Sequence, residues 1–432
     1  MLAPIIAPWL SRRGIHYGWV VTIVGFFTTL MTAGAVSLPG VLILPLSKEF
    51  GWANAEISGA IAIRFVLFGL MAPFAAALMV RYGMRRIVLV ALVLLIAGLA
   101  ASTQMTQLWQ LTALWGVTVG TATGMTALVF GAMISNRWFT ARRGLVLGVL
   151  TASTASGQLV FLPLAASLIT RLGWRAALVP SIAGLTIAAA AIALLMADQP
   201  ADVGLAPLGD TAVKRLPTGP AAAPLWSAFS ILGEASRASA FWLLAGTFLV
   251  CGFSTFGVVQ SHFISFCADY GMPAVDAAAV LAMMGIFDFF GTILSGYLSD
   301  RFDNRWLLFW YYGLRGLSLF ILPNSTFSIL GLSVFAAFYG LDWIATVPPT
   351  VRLAGRIFGR ERAPVLFGWI FAAHQLGAAI GAFGAGVTRT DWSTYVPAFY
   401  AAGAVCLAAA VAALAVRKPG EPAAPVAATA AA

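Results

Sequence analysis

The sequence predicts an all-α membrane protein in which twelve transmembrane helices form two six-helix bundles, with both termini cytoplasmic. Three observations carry this prediction. Of 432 residues, 61% are hydrophobic and only 9% charged, with a mean hydropathy of +0.92, more apolar surface than a water-soluble chain can cover. Apolar runs of the ~20 residues needed to cross a ~30 Å hydrocarbon core recur along the whole chain. The two halves of the chain also resemble one another at a fixed offset. Helices rather than open strands follow because lipid offers no partners to unpaired backbone groups.

Residues 1–16 are short, contain Pro4 and Pro8, and precede an apolar run too long for a signal peptide, with no clear small-residue cleavage site. The first helix therefore reads as retained. The amino-terminal bundle, residues 1–196, holds spans over 17–44, 56–80, 87–104, 108–135, 143–170 and 174–196. Residues 197–237 contain five prolines between the sixth and seventh spans and read as a cytoplasmic linker. The carboxy-terminal bundle, residues 238–418, holds spans over 238–268, 275–299, 306–323, 326–352, 363–388 and 392–416, and the Ala/Pro-rich tail 419–432 reads as disordered. Pro39 and Pro45 in the first span and Pro348-Pro349 in the tenth predict kinks suited to a rocking motion.

The net charge of +10 reads as topology, not as a nucleic-acid site. When lysines and arginines are assigned to alternating sides, nineteen fall on one side, four on the other, and two, Arg64 and Arg315, inside spans. The positive-inside rule then places both termini in the cytoplasm of a multi-pass protein of the cell (inner) membrane. Cys251, Cys267 and Cys406 show neither metal nor disulfide spacing and read as packing residues. No nucleotide-binding loop, nucleophile-base set or metal cluster stands out, so neither enzymatic catalysis, a cofactor nor ATP-driven pumping is expected.

Shifting the first half by 220 residues places Glu49 on Asp269, Arg81 on Arg301, Arg85 on Arg305, Arg142 on Arg362, Gly148 on Gly368 and Gly157 on Gly377 without a gap. A duplication of six helices related by an axis along the membrane normal is the architecture of major facilitator transporters. The turn GYLSDRFDNR at 296–305 resembles that family's loop G-x-x-x-D-R-x-x-x-R. Its first-half counterpart AALMVRYGMRR keeps the basic residues but has Val80 in place of the acid. The resemblance implies that Arg81, Arg85, Asp300, Arg301 and Arg305 meet neighbouring helix ends and gate the cytoplasmic side. Only the second copy has the full set.

Two further motifs resemble the monocarboxylate transporter and oxalate:formate antiporter branch. WFTARRGLVLGVLTASTASG at 138–157 is similar to its fifth-helix signature, with small residues suited to a close helix seam. GIFDFFGTILSG follows its eighth-helix pattern with the acid at Asp288, but Thr292 stands where those transporters place an arginine that engages the substrate carboxylate. The resemblance thus implies fold and proton use, not substrate binding at position 292.

An ionised side chain at membrane depth is a functional candidate by default. Arg64, Asp288, Arg315 and Asp342 sum to zero charge, and Asp288 with Arg315 is the most economical pair, with Asp288 and Asp342 as proton-coupling groups. Arg64, matched by Met284 in the other half, could instead pair with Asp342 or hold a substrate carboxylate. His374 falls opposite Thr154 at the same offset; with Arg64, Arg315, Gln375, Gln158, Tyr312 and Tyr339 it makes up the expected substrate site, while His262 reads as interfacial. The expected function is a monomeric, proton-coupled secondary transporter of small organic anions. An exporter of drug-like molecules on the same fold is the alternative; a transporter-like receptor would bind without flux.

Overall fold

A computed structural model describes residues 2–126, 128–213, 215, 227–359 and 363–416; several side chains within helices, those of Gln158 and Asp300 among them, lie outside the described set. The chain is helical almost throughout. A short α1 (Ala3–Ser11) precedes α2 (Gly18–Phe50), α3 (Asn54–Tyr82), α4 (Met84–Ser102), α5 (Leu108–Trp138), α6 (Arg143–Leu172) and α7 (Trp174–Leu195). After the linker and its short α8 (Ser227–Ala235) come α9 (Ser239–Asp269), α10 (Ala274–Arg301), α11 (Asn304–Ile321), α12 (Ile329–Phe358), α13 (Ala363–Trp392) and α14 (Val396–Leu414).

Among the described residues, ten helices are long and apolar enough to cross a membrane. The other two expected spans, α6 and α11, are helical as well. In α11 the charged and polar face that carries Arg305 and Arg315 dilutes the hydropathy.

In the first span, where proline kinks were expected, Ser37 ends one helical segment and Pro39 starts the next, with Leu38 between them in helical conformation. Proline is tolerated there because the first-turn N–H groups have no intrahelical partner. In α12 the break comes earlier than the prolines. Regular helix stops at Asp342, residues 343–346 form a turn, and Pro348-Pro349 sit in the first turn of Val347–Phe358. That turn frees the backbone groups on which the site below depends.

The two halves meet along three seams. Helix α3 runs against α13, with Gly69 so close to Ala372 and Gln375 that a Cβ would lie 2.7 Å from the Gln375 Cβ. Helix α6 packs on α10, and the Pro39–Phe50 segment packs on Ser261–Asp269, where Gly40 abuts the Gln260 carbonyl. The start of the linker interval belongs physically to the first bundle: Leu208 accepts from Thr140 and Ala141 N–H, both at 2.9 Å, and its own N–H reaches the Trp138 carbonyl. At the end of that interval, α8 lays Phe229 against both Phe74 of α3 and Trp369 of α13.

Candidate functional site

Between the halves lies a cavity of about 160 Å³. Both bundles contribute to its wall: Thr32, Val36, Phe68 and Thr154 from the first, Phe248, Cys251, Thr292, Trp343, Phe371 and His374 from the second, with further threonines from each. Among the described residues, no lysine, arginine or carboxylate lines it. The charged groups sit one layer behind.

The expected Asp288–Arg315 pair does not form. Arg315 instead donates from Nε to Asp342 Oδ2 at 2.7 Å, from Nη1 to Cys251 Sγ at 3.0 Å, and from Nη2 to the Asp342 and Trp343 carbonyls. The turn at 343–346 explains this preference, since its open carbonyls give a five-donor guanidinium more partners than a straight helix could. Tyr312 and Tyr339 flank the cation at 5.6 and 5.9 Å, so both belong to the arginine's packing and not to the cavity wall.

Asp288 takes up neutral donors. Its Oδ1 accepts from Thr292 Oγ1 at 3.0 Å and from the Ile344 N–H at 2.9 Å. Thr292, the residue in place of the family's arginine, thus serves the acid instead of the substrate. Cys251, Thr292, Trp343 and Ile344 all line the cavity, so both acids and Arg315 lie directly behind one patch of wall. This buried group holds two carboxyls and one arginine.

In the first half Arg64 is 2% exposed and pairs with no carboxylate among the described residues, which corrects the alternative pairing with Asp342. Its Nη1 donates to the carbonyl of Val36, a wall residue, at 2.9 Å, and its Nε has no partner. Of the residues expected to bind substrate, His374 alone is seen in the lining. Gln375 is buried in the α3–α13 seam with both amide atoms unpartnered, and the Gln158 side chain lies outside the described residues. His262 is fully buried, not interfacial, with Nε2 2.8 Å from the Ala382 carbonyl.

The charged turns tie helix ends together within each half. Arg85 donates from Nη2 to the Ala193 carbonyl at 2.6 Å at the end of α7; Arg305, its counterpart, donates from Nη1 to the Leu414 and Val416 carbonyls at the end of α14. Arg81 and Arg301 lie over Tyr82 and Tyr297, and the Asp300 side chain is not among those described. Two acids were missed in the sequence. Asp303 accepts from the Arg305 N–H at 3.0 Å and pairs with its guanidinium at 2.7 Å. Asp198, at the start of the linker interval, accepts from the Arg85 N–H at 2.7 Å. A sequence signal existed for Asp303 alone, as a capping acid two residues before its arginine.

The model of the Major Facilitator Superfamily matches residues 25–341 and again 268–431. The chain belongs to the major facilitator superfamily. It is a multi-pass membrane transporter rather than an enzyme. Among its relatives, rat monocarboxylate transporter 13 is 26% identical over 398 residues, covering 91% of this chain and 87% of the relative. The MFS-type transporter YcxA of Bacillus subtilis strain 168 is 24% identical, over 80% of this chain and 81% of its own. Among solved structures, a bacterial homologue of the human lysosomal transporter Spinster, inward-facing and unoccupied, superposes with a TM-score of 0.66 at 16% identity, covering 93% of this chain and 95% of that one. At that identity the likeness speaks to the fold.

Proposed function

We propose that this transporter moves small organic anions, with monocarboxylates as the class, together with protons, by alternating access of a twelve-span, monomeric chain whose termini and linker face the cytoplasm. One observation carries the coupling: the buried group behind the Cys251–Thr292–Trp343–Ile344 wall has two carboxyls and a single arginine, which Asp342 already engages. An ionised Asp288 is then an uncompensated charge in a low-dielectric interior, a costly state. An anion entering the cavity adds a second negative charge nearby. At a separation of about 8 Å and an effective dielectric constant of about 20, that repulsion is worth roughly 2 kcal/mol. A proton on Asp288 removes it. Anion binding and proton binding therefore favour each other, and the two travel together.

Arg64 supplies the attraction. It is a buried cation with no acid beside it among the described residues, anchored behind Val36 in the half opposite the acids. The names of the monocarboxylate transporters among the relatives support the anion class. Uptake of radiolabelled benzoate and lactate into proteoliposomes, with and without an imposed inward proton gradient, tests this reading. Acceleration by the gradient that disappears in Asp288→Asn is expected, and carboxylate flux indifferent to the gradient would refute the coupling.

A second reading, export of neutral apolar metabolites, is favoured by the lack of any charged residue among the described residues of the cavity wall. Flux of an ester but not of its acid would establish it.

A further inference from the structure

We infer that Thr154 and His374 form a clamp for the polar head of the substrate, one member from each half, and that the substrate is a carboxylate built on a single ring. This rests on the organic-anion reading above and narrows it. The two residues occupy the same position of the repeat, 220 residues apart, one on α6 and the other on α13. Both line the cavity.

Their distinction lies in what the other polar wall residues are doing. Thr32 donates to the Thr28 carbonyl, Thr123 to Val119, Thr255 to Cys251, and Thr292 to Asp288. A hydroxyl whose proton is committed to its own helix or to a buried acid has only lone pairs left to offer, and lone pairs repel a carboxylate. Cys251 is engaged by Arg315 and Thr346. Among the described residues no hydrogen bond is seen on Thr154 or on His374, which is only 6% exposed and whose Nδ1 is buried without a partner. A threonine O–H and an imidazole N–H, with the Trp343 indole N–H beside them, are thus the donors the wall leaves for a ligand among the described residues.

The histidine is held in place for that use. Its ring packs against Phe248, Phe256 and Phe371 with centroids at 4.8, 5.2 and 5.6 Å, stacked on the last at 10°. A ring fixed on three sides loses little freedom when it donates a hydrogen bond. Phe68 and Trp343 add further aromatic surface to the wall. A cavity of about 160 Å³ matches the size of one that holds benzene, about 150 Å³, and so has room for one ring as the body of the ligand. Because the two donors belong to different halves, the head group bridges the surfaces that must move relative to one another.

The test uses the purified full-length chain in detergent, with quenching of tryptophan fluorescence titrated by benzoate, lactate, acetate and methyl benzoate. Benzoate is expected to bind at least about tenfold more tightly than the other three. Thr154→Val and His374→Phe, which keep shape and remove a donor, should each weaken benzoate about tenfold, the scale of a hydrogen bond to a charged group. Thr154→Ser and His374→Asn, which restore a donor, should lie within about threefold of the wild type; all variants are checked for monodispersity. Benzoate affinity unchanged in both donor-less variants would overturn the clamp. Lactate or acetate binding as well as benzoate would overturn the single-ring class while leaving the anion reading intact. Methyl benzoate binding as well as benzoate, or no carboxylate binding to the wild type, would overturn both.

Discussion

The turns at 82–86 and 302–306 perform the same task with different residues. In the second, Asp303 caps the following helix through the Arg305 N–H. In the first, the equivalent position is Gly83, with φ +91, and the carboxylate on the equivalent Arg85 N–H comes from Asp198, more than a hundred residues later. A Cβ on Gly83 would lie 2.7 Å from Asp198 Oδ2, so the absent side chain is the space the distant acid fills. What the duplication preserves is the carboxylate at the helix start and the arginine reaching the last helix of its half. The residue that supplies the acid was free to change.

The buried charges differ between the halves in the opposite sense. Arg315 is surrounded by an acid, two carbonyls and a thiol, whereas Arg64 reaches one carbonyl. Substituting each should separate structure from function. Arg315→Met leaves two buried carboxyls uncompensated and is expected to cost about 3–5 kcal/mol, read as a large drop in melting temperature. The double replacement Arg315→Met with Asp342→Leu should recover most of it, since removing both partners of a buried pair is often near neutral. A single variant as stable as the wild type would break the contrast.

Arg64→Met removes a cation that no acid compensates, so its melting temperature should hold or rise while benzoate affinity falls about tenfold. Asp288→Asn is expected to change stability by less than about 1 kcal/mol, because an amide oxygen can still accept from Thr292 and Ile344. Its effect belongs in transport, as loss of gradient-driven uptake. If Asp288→Asn unfolds the protein, the acid is structural and the division between the halves is lost.

Much of the fold was legible in the sequence, because hydrophobic run length and a gapless 220-residue offset are properties of the chain itself. The intramembrane charges were legible for the same reason: Arg64, Asp288, Arg315 and Asp342 stand out against apolar neighbours. Their partners were not. Arg315 chose Asp342 over Asp288 because the break at 343–346 exposes carbonyls beside Asp342, and the break precedes the Pro348-Pro349 pair that signalled it. Tyr312 and Tyr339 look like cavity aromatics in a sequence, yet they flank a cation that sits behind the cavity wall and not in it. Asp198 was hidden by distance, since the acid missing at position 80 gives no hint that a carboxylate arrives at position 83 from the far end of the bundle.

The smallest effects test the turns. Asp198→Ala should cost about 1 kcal/mol, the usual worth of a helix-capping acid, and Gly83→Ala should reproduce that loss with Asp198 intact, by pushing the carboxylate away. The second turn adds a dependence on pH. The hydrogen bonds from Arg305 hold the Asp303 carboxyl below its ordinary range despite partial burial. A group whose folded value is depressed stabilises fully above its unfolded value, about 3.9, and loses that contribution as pH falls through the lower folded value. Melting temperatures of the wild type and Asp303→Asn, followed from pH 7 to pH 3, should therefore differ most at neutral pH and converge in acid. The neutral-pH difference is expected to stay below about 1 kcal/mol, since the pair is partly exposed to solvent. A gap that persists unchanged at pH 3 would mean that Asp303 acts through its hydrogen-bonded shape and not its charge, and that the two turns are alike in capping alone.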